Sequence, residues 1–188
     1  MKVLQSILLV GLALAVSNAR ASADAINNYQ TLTLLDGEWI LSPADIQAGG
    51  ATKKGPAGKL MGTDNTAIRF KVVGNGSAVQ ENLLPDTGKE MVSMYHCDNF
   101  RNCSQVQAKH YCAKQNQPEL KLDAANSNEA VIVMPCDMNT PLCASVEAHV
   151  HMIKHELSQD NNHLKTTYTI YSGGKFQKDS TYHFDRKQ

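Results

Sequence analysis

The chain has 188 residues, of which 42% are apolar, and its 18 lysines and arginines balance 18 aspartates and glutamates. A near-neutral surface without a basic cluster argues against nucleic acid as a partner and offers no electrostatic pull toward anionic lipid. With an export signal removed, roughly 165 residues remain, enough for one domain with a real core.

Residues 1–23 read as that signal. Lys2 supplies the charged start, Leu4 and Ile7 to Val16 the apolar stretch, and Ala21 or Ala23 the small residue before cleavage. The apolar run is too short to span a bilayer, so no stable membrane anchor is expected. Lys2 and Arg20 leave with the signal and no acid does, which moves the formal charge from 0 to −2. The expected location is the periplasm or the extracellular space, with residues 24–188 forming a single domain.

Residues 24–35 suggest a short helix, with Ile26, Tyr29 and Leu32 at helical spacing. A first strand follows around Trp39, opened by Gly37. Residues 42–66 are rich in Gly, Pro and Lys and show no period, so they read as a long flexible connection near a barrel mouth. From Ala67 onward the pattern turns to strands: 67–73, 77–84, 90–96, 104–112, 119–123, 129–135, 145–157, 163–171 and 176–184. Gly173-Gly174 marks a tight hairpin between the last two. About nine or ten strands joined by short turns predict an all-β, antiparallel up-and-down barrel with a short N-terminal helix, since closure hides the edges of a meander. A β-sandwich is the alternative.

An oxidising compartment makes disulfides the expected use of most of the five cysteines. Cys97 with Cys103, and Cys136 with Cys143, each flank a short loop that a bridge would close, worth ~2 kcal/mol apiece. Cys112 is left over. Neither pair has the spacing of a zinc knuckle.

Several stretches carry a resemblance. Gly37-x-Trp39 at the first strand resembles the calycin group of lipocalin-like and nitrobindin-like barrels. More specifically, Gly76-Ser77-Ala78-Val79-x-Glu81, Glu90 to His96, His110-Tyr111-Cys112-Ala113-x-x-Asn116-Gln117-Pro118 and His149-Val150-His151 are similar to a family of exported bacterial proteins. The chain departs from that family in a longer loop between His96 and His110, and in Asp160-Asn161-Asn162-His163 where a second acid would stand. The resemblance implies a calycin-like barrel with an internal cavity and no particular activity.

Strand parity selects the candidate site. An inward even-numbered face would place Glu90, Met94, His96, His110 and Cys112 inside, with Asn116 and Gln117 at the mouth. A Cys97–Cys103 pair placed squarely across the hairpin would set His110 opposite Glu90. The same register separates His96 from His110 by about 20 Å, too far to share a metal.

The leading functional expectation is therefore a binding module for a small apolar or haem-like ligand. One alternative is a thiol enzyme built on Cys112, His110 and Glu90, in which a carboxylate-oriented imidazole favours thiolate. The other is a metal site using His149 and His151 with His110 or His163. The cofactor is unspecified, with haem and a transition metal both open, and a small molecule is the expected partner. An Arg69–Glu81 ion pair in the cavity is weighed against a solvated face for both residues.

Overall fold

The structure is a computed structural model and describes residues 24–47, 55–99 and 101–188. The expected export signal lies outside these residues.

A helix, α1 (residues 24–34), leads into strand β1 (Gly37–Leu41). Two single-turn helices follow, α2 (Pro43–Gln47) and α3 (Pro56–Leu60). Nine further strands complete the chain: β2 (Ile68–Val73), β3 (Ala78–Leu83), β4 (Met91–Cys97), β5 (Val106–Tyr111), β6 (Glu119–Lys121), β7 (Val131–Pro135), β8 (His149–Leu157), β9 (His163–Ser172) and β10 (Lys175–Arg186). They form one antiparallel sheet in the order β6-β5-β4-β3-β2-β1-β10-β9-β8-β7. The two edge strands meet through a bridge between Leu120 and Cys136 and through the amides of Asp123 and Asp137, which donate to Val133 and Glu119 carbonyls. The result is a nearly closed up-and-down barrel, as the spacing of the strand segments predicts.

The region 42–66 departs from that expectation where it is described. Pro43 and Pro56 each open a helical turn, because a fixed φ and a missing N–H suit the first helical position. Ala57 and Leu60 are buried in the core.

The other helix closes one end of the barrel. Its buried apolar stripe is Ala25, Tyr29 and Leu32, whereas Ile26 is exposed. Tyr29 donates to the Gly76 carbonyl in the β2–β3 turn, and Thr31 to that of Glu129 before β7. Trp39 is fully buried and donates its indole N–H to Leu35, while the Arg186 guanidinium lies 4.1 Å over the ring. Arg186 also donates to the carbonyls of Leu34 and Asp36, acceptors at and just past the helix end, and to that of Asn161 in the β8–β9 turn. Gly37 has φ of 128°, and a Cβ there would stand 3.0 Å from Arg186 Nη1.

Register decides which side chains enter the barrel, and here parity fails. Cys97 lies opposite Val106 rather than Cys103, and Ser93 lies opposite His110. Cys103 sits instead in the loop beyond the ladder, which Asp98 and Gln105 close by a backbone hydrogen bond, and the bridge spans 5.2 Å between Cα atoms. Three residues of extra loop therefore reverse the face of β4. Ser93 and Tyr95 point inward, while Met94 and His96 point outward. A second parity change sits in β8, where a bulge between Val150 and Met152 turns Val150, Ile153 and His155 inward.

The Trp39–Arg186 closure makes a direct prediction. Arg186→Ala should lower stability by about 2 kcal/mol in urea unfolding, from the lost cation–π contact and unsatisfied carbonyls. Gly37→Ala should cost about 1–2 kcal/mol through backbone strain, with no change in the disulfides.

Candidate functional site

Two levels can be distinguished inside the barrel: a dry polar cluster across its waist and an open cavity above it.

The waist is built on β3, where Glu81 stands between Val79 and Leu83 on the inward face. Glu81, Ser93 and His110 are direct cross-strand neighbours on β3, β4 and β5, and all three are fully buried. From the far wall come Tyr168 on β9 and His155 on β8. Tyr95 donates to Glu81 Oε2 at 2.5 Å, and Tyr168 donates to Oε1 at 2.7 Å. Each phenol has one proton, so both are committed to the carboxylate. The 3.0 Å contact between Tyr95 Oη and His155 Nε2 therefore requires the imidazole to carry its proton at Nε2, which also lies 3.4 Å from Glu81 Oε2. Thr166 holds the other ring nitrogen at 3.0 Å.

Burial alone would push the Glu81 carboxyl up, but hydrogen bonds from His155, Tyr95 and Tyr168 outweigh it, and the net direction is down. Burial, and then the Glu81 charge, raise both phenols well above their ordinary values, so they remain donors at all moderate pH.

His110 completes this level. Its Nδ1 lies 2.9 Å from Ser93 Oγ, and Ser93 also reaches Glu81 at 3.3 Å. Its Nε2 is buried without a hydrogen-bond partner among the described residues. Burial lowers the His110 pKa, the Glu81 charge opposing only in part, so the ring is neutral at neutral pH. Ser, His and Glu in contact suggest a hydrolytic triad, yet this set is sealed. A nucleophile needs an approach path, and Ser93 has no exposed surface.

Above the waist lies a cavity of about 490 Å³ at the end of the barrel opposite α1. Leu83, Met91, Val150 and Ile170 give it apolar walls, and Tyr168 and Tyr182 lie at its base. Lys89, Lys114 and Lys178 line it, all three side chains being otherwise exposed. Lys178 is cross-strand to Ile170, which turns it toward the mouth rather than the outer wall.

The sequence-derived site residues divide among these surroundings. Glu90 and Cys112 line the mouth cavity, but Glu90 is exposed, accepts from Asn82 and does not face His110. Met94 and His96 lie on the outer wall beside Gln107 and Tyr111, a correction that follows from the β4 register. Asn116 donates to Glu147 and to the Ala148 carbonyl, tying two mouth loops together, while Gln117 is exposed. Arg69 pairs with Glu38 rather than with Glu81, because Arg69 lies opposite Asn82, one position out of phase. His163 is on the surface with Asp185 at 2.7 Å, so it takes its carboxylate from β10. It does not join His149, and neither does His110. Glu81 does lie inside, as the weighed ion pair would have it, but with Tyr95, His155 and Tyr168 as its partners, none of which the sequence singles out. The available signal was Glu81 itself, a single acid flanked by Val79 and Leu83 on one strand face.

Both expected disulfides are present, Cys97–Cys103 and Cys136–Cys143, and Cys112 is free. They suggest an oxidising environment. Burial raises the Cys112 thiol, and His110 is engaged with Ser93, so the imidazole does not activate it. Among the described residues, no helix is long and apolar enough to cross a membrane.

Two predictions follow from these placements. A group whose folded pKa is depressed contributes stability that is complete above its unfolded value, about 4.3 for Glu. That contribution disappears as pH falls through the lower folded value. Glu81→Gln should therefore cost about 3 kcal/mol at pH 7 and flatten the acid limb of the stability–pH curve below pH ~4. Urea titrations of both proteins across that range would measure it. Cys112 should alkylate slowly in the folded protein at pH 7 and rapidly after denaturation, read by mass spectrometry; fast native modification would restore the thiol-enzyme alternative.

Compared with known proteins, the chain matches no family model and no curated protein significantly, so its functional reading stands on the geometry of the barrel.

Proposed function

We propose that the protein is an exported binding module that takes one small amphipathic molecule with an anionic head into the mouth of a calycin-like barrel. The observation that carries this reading is the lining of the mouth cavity: apolar walls below three lysines, with Glu90 as the one acid among its lining residues. An apolar tail would displace water from Leu83, Met91, Val150 and Ile170. Each methylene buried there contributes about 0.8 kcal/mol. A carboxylate, sulfonate or phosphate head would remain among Lys89, Lys114 and Lys178, where opposite charge compensates partial desolvation.

The polar waist supports the same function indirectly. It fills the barrel beneath the cavity, so a ligand stops at Tyr168 and Tyr182 instead of threading the barrel. A haem-like ligand fits less well. His110 has the uncommitted nitrogen but lies sealed below the cavity, and Cys112 is a protonated thiol. The cavity volume of about 490 Å³ suits a medium-chain amphiphile more readily than a macrocycle with two axial ligands.

Titration with a fluorescent anionic amphiphile, followed by competition with a medium-chain fatty acid and the corresponding alcohol, tests the proposal. The acid should compete better than the alcohol. Replacing Lys114 and Lys178 by Glu should weaken acid binding about tenfold or more, while Lys109→Glu on the outer wall should leave it unchanged. Equal affinity for acid and alcohol, or no effect of the mouth substitutions, would exclude an anionic-head site.

A further inference from the structure

Outside the barrel, beneath the loop that joins β7 to β8, lies a second cluster that the binding function does not use. His149 and His151 project from the outer face of β8, on the opposite side from Val150. The ligand atoms of Cys136, His149 and His151 all lie within 4.8 Å of one another. His149 and Cys136 are buried, and His151 is half-buried.

The two rings are held in a specific way. His149 Nδ1 is 2.7 Å from the Glu147 carbonyl oxygen, which can only accept, so that nitrogen carries the proton and Nε2 presents its lone pair. That lone pair faces His151 Nδ1 at 3.0 Å. The His151 ring is clamped by Tyr171, stacked at 3.7 Å with an interplanar angle of 12°. A backbone carbonyl that fixes the tautomer is the support that metal-binding histidines characteristically have, and the Tyr171 stack restricts the plane of the other ring. The sulfur beside them is bonded to Cys143, on the same loop.

We propose that the Cys136–Cys143 bridge is the closed state of a thiol-switched site for a zinc-class cation. Its four ligands are the two thiolates, His149 Nε2 and His151 Nδ1. Ligand order along the chain is Cys-x6-Cys-x5-His-x-His. In the oxidised protein the disulfide sulfurs are poor donors, and the histidines bond to each other through the His151 Nδ1 proton. An external dithiol opens the bridge by exchange, leaving two thiols here and a disulfide on the reductant. A divalent cation then replaces both thiol protons, which pass to solvent, and the His151 proton moves from Nδ1 to Nε2. The metal itself undergoes no redox change. Tetrahedral ligation at about 2.3 Å to sulfur and 2.0 Å to nitrogen requires ligand separations of about 3.3–3.8 Å. The two imidazole nitrogens, 3.0 Å apart, must part by a few tenths of an ångström, and Cys136 Sγ, within 4.8 Å of both, lies within about 1.5 Å of the required separation. Cys143 must swing away from Cys136, a movement that the opened loop allows.

The test uses the full mature chain with Cys97, Cys103 and Cys112 replaced by Ser, so that the remaining sulfurs belong to the site. After anaerobic reduction with a phosphine, Co(II) should bind at one equivalent with thiolate-to-metal absorption, and Zn(II) should displace it. The oxidised form should show neither signal. His149→Gln and His151→Gln should each weaken binding about tenfold or more while retaining the far-UV circular dichroism of the parent. Zn(II) should also protect both thiols from alkylation, an independent readout if a variant folds poorly. Failure of the reduced protein to bind cobalt, equal binding by the oxidised form, or indifference to both histidine substitutions would each overturn the proposal. None of these outcomes bears on the mouth cavity, which lies inside the barrel.

Discussion

The barrel is organised around one unfavourable event: the carboxylate of Glu81 is taken wholly out of water. An isolated charge in such surroundings would neutralise or unfold the domain. Here, donors from three other strands converge on it, two phenols, an imidazole and a serine hydroxyl. Because Tyr95, Tyr168 and His155 arrive from opposite walls, the carboxylate links sheet segments far apart in sequence. The cluster fixes the relative rotation of those walls more sharply than apolar packing would, since each hydrogen bond has its own direction and length. Loss of the Glu81 side chain would leave four polar groups facing one another across a gap.

The fold was more legible than the site, and the reason is physical. Alternation, turn glycines and the length of each run identify strands locally, so the ten-strand meander and both disulfides emerge from the chain directly. Inward and outward assignment is a different quantity, because it depends on register, which turns set. The 98–105 loop carries Cys103 beyond the ladder and inverts β4, which sends Glu90, Met94 and His96 to positions other than those expected. The bulge at His151 does the same in β8 and conceals His155. His110, on β5, was placed inside correctly because Val106 and Ala108 mark that face without ambiguity. Its actual neighbours could not be read without the β4 register.

A division of labour emerges between the two faces of the wall. Inside, the polar groups are saturated with one another, apart from His110 Nε2, and the variable chemistry lies at the open end, where apolar surface meets cationic rim. Outside, the loop closed by Cys136 and Cys143 lies over a histidine pair whose geometry is held by Glu147 and Tyr171. β8 contributes to both, with Val150 turned to the cavity and His149 and His151 turned away. The bulge permits this, because it lets neighbouring parts of one strand serve opposite sides of the sheet.

The contact between Arg186 and the end of α1 has a consequence for the order of assembly. The residues it joins are separated by 150 positions, and β1 pairs with β10 as well as with β2. The first strand therefore gains its second neighbour only when the last strand is available. Early in biosynthesis β1 and α1 have no wall to close against, and Trp39 lacks its cationic cover. Contacts of such long range make barrel closure a late and slow step.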